Sequence, residues 1–326
     1  SDASTWTASS HPLTEIGAIA PAGTTRWIAV GNGISDSVAY STDNGVTFTG
    51  AGKTVTNGAF AVACTPTGSR CVVVGSASLG TSVDGGATWT TQSPTQIAVS
   101  LGIAYAPPPA DQWVICGQQF FPGNETVIGA STDGTATAWT WTTVDTIATG
   151  FEITVMPMYN GAKWVIAGSR RSPPGVYTST DAGVTWVWEP YGAPVSSTFR
   201  VYDAHYATGL FVVVGHTGAS APTAATALYS ATGTTGSWTD TGYLLPTLSE
   251  TVFGVSYSPG AGTWMSISAD ALASSTDATA WTGPLALAFA NGKCIVASDH
   301  VNGGGSGTAA PTLAPTLAPT LAPTLA

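Results

Sequence analysis

Charge is the scarcest property of this chain. Only 8% of its 326 residues are charged, and Lys and Arg together number eight. Proteins that grip a phosphate backbone or an anionic bilayer do so with clustered basic side chains. Eight of them, in a chain of formal net charge −10, give such partners almost nothing to bind. Neither nucleic-acid binding nor membrane insertion is expected. Long apolar runs are missing as well. Hydrophobic residues make up 44% of the chain, but they come as short runs such as CVVVG from Cys71 and LFVVVG from Leu210. A membrane helix needs roughly 20 apolar residues in sequence. Helical periodicity is absent, so the short runs read as strands. Four cysteines allow no dense disulfide scaffold. Cys64 and Cys71 flank TPTGSR, the turn of a hairpin, where a cross-strand disulfide fits. Cys116 and Cys294 lie in apolar strands and read as small buried hydrophobes. No P-loop, dinucleotide fingerprint, zinc-ligand spacing or nucleophile elbow occurs. No cofactor or metal is therefore expected. The sequence opens at Ser1, without Met or a signal-peptide pattern, and reads as a mature secreted chain or a fragment.

Repetition is abundant. STDNGVTF begins at Ser41, SVDGGATW at Ser82, STDGTATAW at Ser131, STDAGVTW at Ser179 and STDATAW at Ser275. SATGTTGSW at Ser230 is a decayed copy with Thr232 in the Asp position, and the opening SDASTW places Asp2 and Trp6 at the spacing of Asp277 and Trp281. The key positions are 2, 43, 84, 133, 181, 232 and 277, at spacings of 41 to 51 residues. That is the length of one four-stranded propeller blade. A strand of the type WIAVG precedes each motif and begins at Trp27, Cys71, Trp113, Trp164, Phe211, Trp264 and Cys294. Another strand, such as GIAYA or FRVYD, lies upstream of it.

The motif resembles the Asp box, or BNR repeat, S-x-D-x-G-x-x-W, of sialidase-like and related propellers. The resemblance covers residues 1–300 and is closest at Asp43, Asp84 and Asp181. It implies an all-β fold in which Asp2, Asp43, Asp84, Asp133, Asp181 and Asp277 tie turns together through backbone N–H groups. It further implies that Trp6, Phe48, Trp89, Trp139, Trp186, Trp238 and Trp281 pack beneath those turns, each burying about 1.5–3 kcal/mol of apolar surface. Counting motifs gives a seven-bladed β-propeller closed by the N-terminal strand, with six blades as the alternative. The seventh blade would combine LALAFA from Leu285 and CIVAS from Cys294 with TWTAS from Thr5, leaving no open sheet edge.

The resemblance raises sialidase activity, which would need three arginines around a carboxylate. The five arginines are Arg26, Arg70, Arg170, Arg171 and Arg200, and no F-R-I-P stretch occurs. Arg26 and Arg70 precede second strands, on the face of the Asp motifs and not on the family's active face. That active face would gather Glu15, Asp36, Glu125, Arg170, Arg171, His216, Glu250 and Asp270. Glu152 and Arg200 begin the innermost strands of blades four and five and form a candidate channel-mouth site. They read either as a structural ion pair or as part of a carboxylate pair that cleaves glycosides. A second resemblance, to the Asp-box assembly factor of photosystem II, would imply a basic patch that eight basic residues do not supply.

Beyond residue 300 the composition changes. A Gly/Ser-rich linker at 301–310 leads into four PTLA units at 311–326. Proline at 311, 315, 319 and 323 forbids helix and interrupts a sheet ladder. Polyproline II remains, at about 3.1 Å per residue, so sixteen residues make a rod of about 50 Å. With about three residues per turn, each four-residue step rotates the unit by about 120°. Thr312, Thr316, Thr320 and Thr324 therefore point successively around the rod, as O-linked sugars would require. The tail resembles hydroxyproline-rich and mucin-like extracellular glycoproteins, which makes Pro311, Pro315, Pro319 and Pro323 modification sites as well. Asn124 begins an N-E-T sequon. The expectation is a secreted, cell-surface structural protein, its partners other copies of itself and covalent glycans. The alternative is a carbohydrate-binding or glycoside-cleaving head on a glycosylated spacer.

Overall fold

The computed structural model describes residues 10–286, apart from 53–54, 56–57, 121–124, 136–137, 147–152, 170–172, 194, 219–223, 244–251 and 269–270. These residues form six four-stranded antiparallel sheets, each built from four consecutive strands. The first blade is β1 (Glu15–Pro21), β2 (Trp27–Asn32), β3 (Val38–Ser41) and β4 (Thr49–Gly50). The second is β5 (Ala59–Cys64), β6 (Cys71–Gly75), β7 (Ser78–Ser82) and β8 (Thr90–Gln92). The third is β9 (Val99–Ala106), β10 (Gln112–Gln119), β11 (Glu125–Ser131) and β12 (Thr140–Thr146). The fourth is β13 (Ile153–Tyr159), β14 (Trp164–Ser169), β15 (Gly175–Ser179) and β16 (Val187–Pro190). The fifth is β17 (Arg200–Ala207), β18 (Leu210–Thr217), β19 (Ala224–Ser230) and β20 (Thr239–Tyr243). The sixth is β21 (Val252–Ser258), β22 (Thr263–Ser268), β23 (Ala271–Ser275) and β24 (Thr282–Ala286).

The first strands of consecutive blades lie side by side, and all six line one central cavity. They are the innermost strands of a β-propeller. The described residues give six blades where the motif count gives seven. Leu285 and Ala286, expected to start a seventh innermost strand, instead pair with Leu272 and Ala271 as the outer strand of the sixth. An apolar run that follows a turn fits an outer strand as well as an inner one, so its pattern alone does not assign it. Asp2, Trp6, Cys294, the linker and the PTLA units lie outside the described residues.

The core lies between the blades. Second-strand residues alternate between the two faces of each sheet, and both faces are covered. Ile28 and Val30 of the first blade pack with Val62 and Val73 of the second. Val165 and Val176 of the fourth pack with Phe211 and Val213 of the fifth. The run Val212, Val213, Val214 is therefore buried at every residue. This is why the second strands read as unbroken apolar runs rather than alternating ones. Cys64 and Cys71, directly opposed across the β5–β6 hairpin, are joined as a disulfide. Cys116 is buried in β10.

All six innermost strands carry an irregularity near their start. Ile16 pairs with Gly31 and Ala18 with Val30, leaving Gly17 as an extra residue. Phe60, Leu101, Tyr202 and Phe253 are extra at the equivalent points of β5, β9, β17 and β21. In β13 the irregularity falls between Thr154 and Pro157. These are β-bulges. The residue opposite each bulge is glycine in five blades: Gly31, Gly75, Gly117, Gly168 and Gly215, with Ser268 in the sixth. A Cβ at Gly215 would stand 1.8 Å from the Arg200 carbonyl oxygen, and one at Gly31 would stand 1.9 Å from that of Glu15. Because the obstruction is backbone, no rotamer change relieves it.

Gly215→Ala and Gly31→Ala are each expected to lower unfolding free energy by about 2–4 kcal/mol, the range of forced overpacking and strain. Chemical denaturation of the purified variants checks this; a loss below about 0.5 kcal/mol would contradict the backbone clash.

Candidate functional site

The propeller has two ends. One carries the turns between third and fourth strands, where the repeated S-x-D motifs fall. In the first blade Asp43 Oδ1 accepts from the Ser41 hydroxyl at 2.7 Å and from Thr47 N–H at 2.9 Å, and Gly45 N–H donates to Ser41 Oγ at 2.9 Å. Asp84 and Asp181 repeat this with Ser82 and Thr88, and with Ser179 and Thr185. In these three turns two successive residues have positive φ, as at Asn44 (61°) and Gly45 (84°). The irregular copies are shorter turns. Ser131 accepts from the third residue onward, Gly134, and Ser230 from Gly233. Asp133 and Asp277 accept from N–H groups two residues on, at Thr135 and Thr279. Their single left-handed residues are Gly134 (67°) and Ala278 (62°). Phe48 and Trp238 are buried, and Trp89, Trp186 and Trp281 donate their indole N–H to Gly86, Gly183 and Ala278 carbonyls. Trp139 is half-buried against the core between the second and third blades.

These turns also seat each blade on its predecessor. The residue at the entry to a second strand reaches forward: Arg26, just before β2, donates to the Asp84 carbonyl, Arg70, just before β6, to that of Asp133 at 2.7 Å, and Gln112, the first residue of β10, to that of Ala182. At the next seam the polarity reverses, and Glu189 accepts from Thr235 N–H at 2.7 Å. Sequence reasoning put Arg26 and Arg70 on this end without finding their inter-blade partners. Their shared position before a second strand was the available signal.

Inside, the first strands enclose a cavity of about 110 Å³, lined by residues such as Ile19, Tyr105, Met158, Asp203, His205 and Ser256. Small-molecule pockets begin at roughly 300 Å³, so this space is too small for a sugar ring with its contacts. Its carboxylate is Asp203, which the sequence reading missed. Asp203 follows the Tyr202 bulge and crosses the seam between fifth and sixth blades, accepting from Val255 N–H at 3.0 Å and Ala204 N–H at 2.8 Å. Burial pushes its pKa up to about 7, against the lowering effect of those two N–H groups. Tyr105 donates to Asp111 Oδ1 at 2.5 Å, and burial with that bond raises its phenol to about 12.

The opposite end carries the channel mouth. Arg200 begins β17 and pairs with His216, whose Nδ1 lies 3.0 Å from the Thr217 carbonyl oxygen. Glu152, Asn124, Arg170, Arg171, Glu250 and Asp270 lie outside the described residues. Glu15 starts β1 and Glu125 starts β11. Asp36 Oδ1 accepts from Gly52 N–H at 2.8 Å, a loop tie. Among the described residues no group of three or more His, Cys, Asp or Glu converges as a metal site.

No family model matches the chain, and no curated protein does. Solved structures do. An ancestral GH74 enzyme is similar over 71% of this chain and 32% of its own, at 17% identity and a TM-score of 0.56. This chain thus spans about a third of that enzyme's length. The hydrazine synthase of Kuenenia stuttgartiensis is similar over 81% of this chain and 78% of its own, at 12% identity and a TM-score of 0.57. U3-55K is similar over 90% of this chain and 87% of its own, at 10% identity and a TM-score of 0.61. At such identities the likeness is one of fold: the chain is a β-propeller. Propellers this similar in shape include a glycoside hydrolase and proteins of other kinds, so the fold selects no chemistry.

The carboxyls give a pH signature. Hydroxyl and N–H of Thr47 hold Asp43 at about 2, and the equivalent Thr185 bonds do the same for Asp181. At Asp84 burial opposes the shift, but bonds from Thr88 and Ser82 outweigh it, again to about 2. Depressed folded pKa values stabilise above the unfolded value near 4 and lose that effect as pH falls towards 2. Asp203 works the other way. Its contribution to stability is fully present below about pH 4 and is lost as pH rises to about 7. Denaturation midpoints against pH are expected to be highest at about pH 4–5, falling on both sides. Asp203→Asn should flatten only the limb between pH 4 and 7; an unchanged limb would contradict the assignment.

Proposed function

We propose that the chain is a structural subunit of an extracellular, glycosylated filament or surface appendage. The propeller is a rigid head carried on a Pro/Thr rod. The observation that carries this reading is the tail sequence: four identical PTLA units behind the NGGGSGT joint. Proline at every fourth residue favours a stiff extended segment, and the 120° step distributes threonines on all sides. Thr312, Thr316, Thr320 and Thr324 carry O-linked glycans in this reading, with modified prolines beside them and an N-linked glycan at Asn124. The partners are further copies of the chain, and no catalysis is needed. The head is consistent with this role. Its described polar side chains are largely engaged in turns and seams, and the central cavity is too small for a glycan. The Asp-box character of the turns, with serine, aspartate and threonine hydrogen-bonded in one pattern, belongs to the same reading: these residues are scaffold.

Cryo-EM of the native material is the test. Branched density on the tail threonines, in rods stacked along a common axis, is the expected result. Threonines without sugar on a monodisperse single-copy protein would sink the filament. Turnover of oligosaccharides by such a protein, abolished by Glu152→Gln, would establish the glycoside-cleaving alternative.

A further inference from the structure

The bulges have a second effect besides fitting the second-strand glycines. A residue expelled from the register of an innermost strand is released from the packing between blades. Exposure follows the bulge. Phe60 is 37% exposed between Ala59 and Ala61, each at 2%, and Tyr202 is 41% exposed beside Val201 at 3%. Leu101 and Phe253 are half-buried beside Ser100 and Val252, which are buried. Tyr202 and Phe253 meet edge to face across a blade seam, with centroids 5.7 Å apart. Gly17 is the equivalent of the first blade and carries no side chain: a Cβ there would lie 3.0 Å from the Ala59 carbonyl oxygen, so this strand sits close against the second blade. Near the starts of the innermost strands, at the channel-mouth end, the displaced side chains Phe60, Leu101, Tyr202 and Phe253 thus form an uncharged, interrupted collar, with Gly17 contributing no side chain.

We propose that this collar receives a PTLA segment from a second copy of the chain. This rests on the reading that copies assemble through the tail, and it names the surface they meet. Three features of the tail match. Residues 301–326 contain no charged side chain, as a collar without charge requires. Polyproline II segments are taken up by aromatic-lined grooves, because their extended shape costs little ordering entropy. Each unit also offers a leucine, Leu313, Leu317, Leu321 or Leu325, and the same four-residue step turns these successively around the rod, so an apolar side chain is presented in every direction. A tail-into-mouth contact joins two different surfaces. It does not close on itself and so propagates a linear array.

Sedimentation velocity of the unglycosylated full-length chain over a concentration series tests this. Self-association is expected, and added salt should not weaken it, because no ion pair between collar and tail holds the copies together and screening reduces the repulsion between two chains of net charge −10. The synthetic peptide PTLAPTLAPTLAPTLA in excess should disperse it. Tyr202→Ser with Phe253→Ser should weaken it at least about tenfold, as loss of interface aromatics does. Because the collar variant can disturb folding, the four tail leucines are also replaced by serine, outside the propeller, with the same expected loss. Association unaffected by the peptide or by the leucine replacements overturns the proposal. So does a tyrosine fluorescence change with a neutral tetrasaccharide and none with the peptide, which would make the collar a sugar site. Glycosylation of the native tail is a separate readout. Sugars without docking sink this inference alone, and docking without sugars sinks only the glycosylated rod.

Discussion

In four of the six described blades, one carbonyl oxygen governs the region around the axis. In the first, second, third and fifth blades it belongs to Glu15, Gly58, Val99 and Arg200, and it lies where the next strand would place a side chain. The glycine it demands lets the two strands approach, and the bulge that follows restores the register. Without the bulge the innermost strand would keep its alternation and bury every side chain between blades. With it, a side chain is released from that packing in four of the strands: Phe60, Leu101, Tyr202 and Phe253. Packing and surface chemistry are thus set by the same local distortion, which also places Asp203 across the seam it bridges.

The seams supply the rest of the cohesion. Each is an apolar layer of valines, alanines and aromatics, closed at one end by a turn whose serine, aspartate and threonine satisfy one another. Buried polar groups cost little once fully hydrogen-bonded. The turns can therefore sit against the preceding blade, as Gly86 does against Ile28 and Gly233 against Val165. The serine, aspartate and threonine pattern that dominates the sequence belongs to this packing.

The blades were legible because their signals are local. Strand runs, motif spacing and turn chemistry each depend on a few neighbouring residues. Leu285 was misassigned because an apolar residue after a turn suits an inner strand as well as an outer one, and only pairing with Leu272 decides. Asp203 was invisible because FRVYD reads as an ordinary strand. What sets Asp203 apart is its place at the seam with the next blade, where it meets Val255, 52 residues on, which spacing does not encode. The collar was half legible. The glycine ending WIAVG, CVVVG and FVVVG was in view, but a glycine in a strand announces a close approach without saying which residue is displaced by it.

The forward-reaching donors Arg26, Arg70 and Gln112 have a consequence for how such a ring grows. Each of the first three blades brings a donor for its successor, and the second, third and fourth each bring a carbonyl for their predecessor. A copy of the second or third blade would arrive already fitted at both sides to neighbours of the same kind. Such an assembly grammar is indifferent to the number of its units. It fixes how one blade follows another and leaves the total to the angle each contributes, so lineages built on these joints can gain or lose a blade without rewriting the rest.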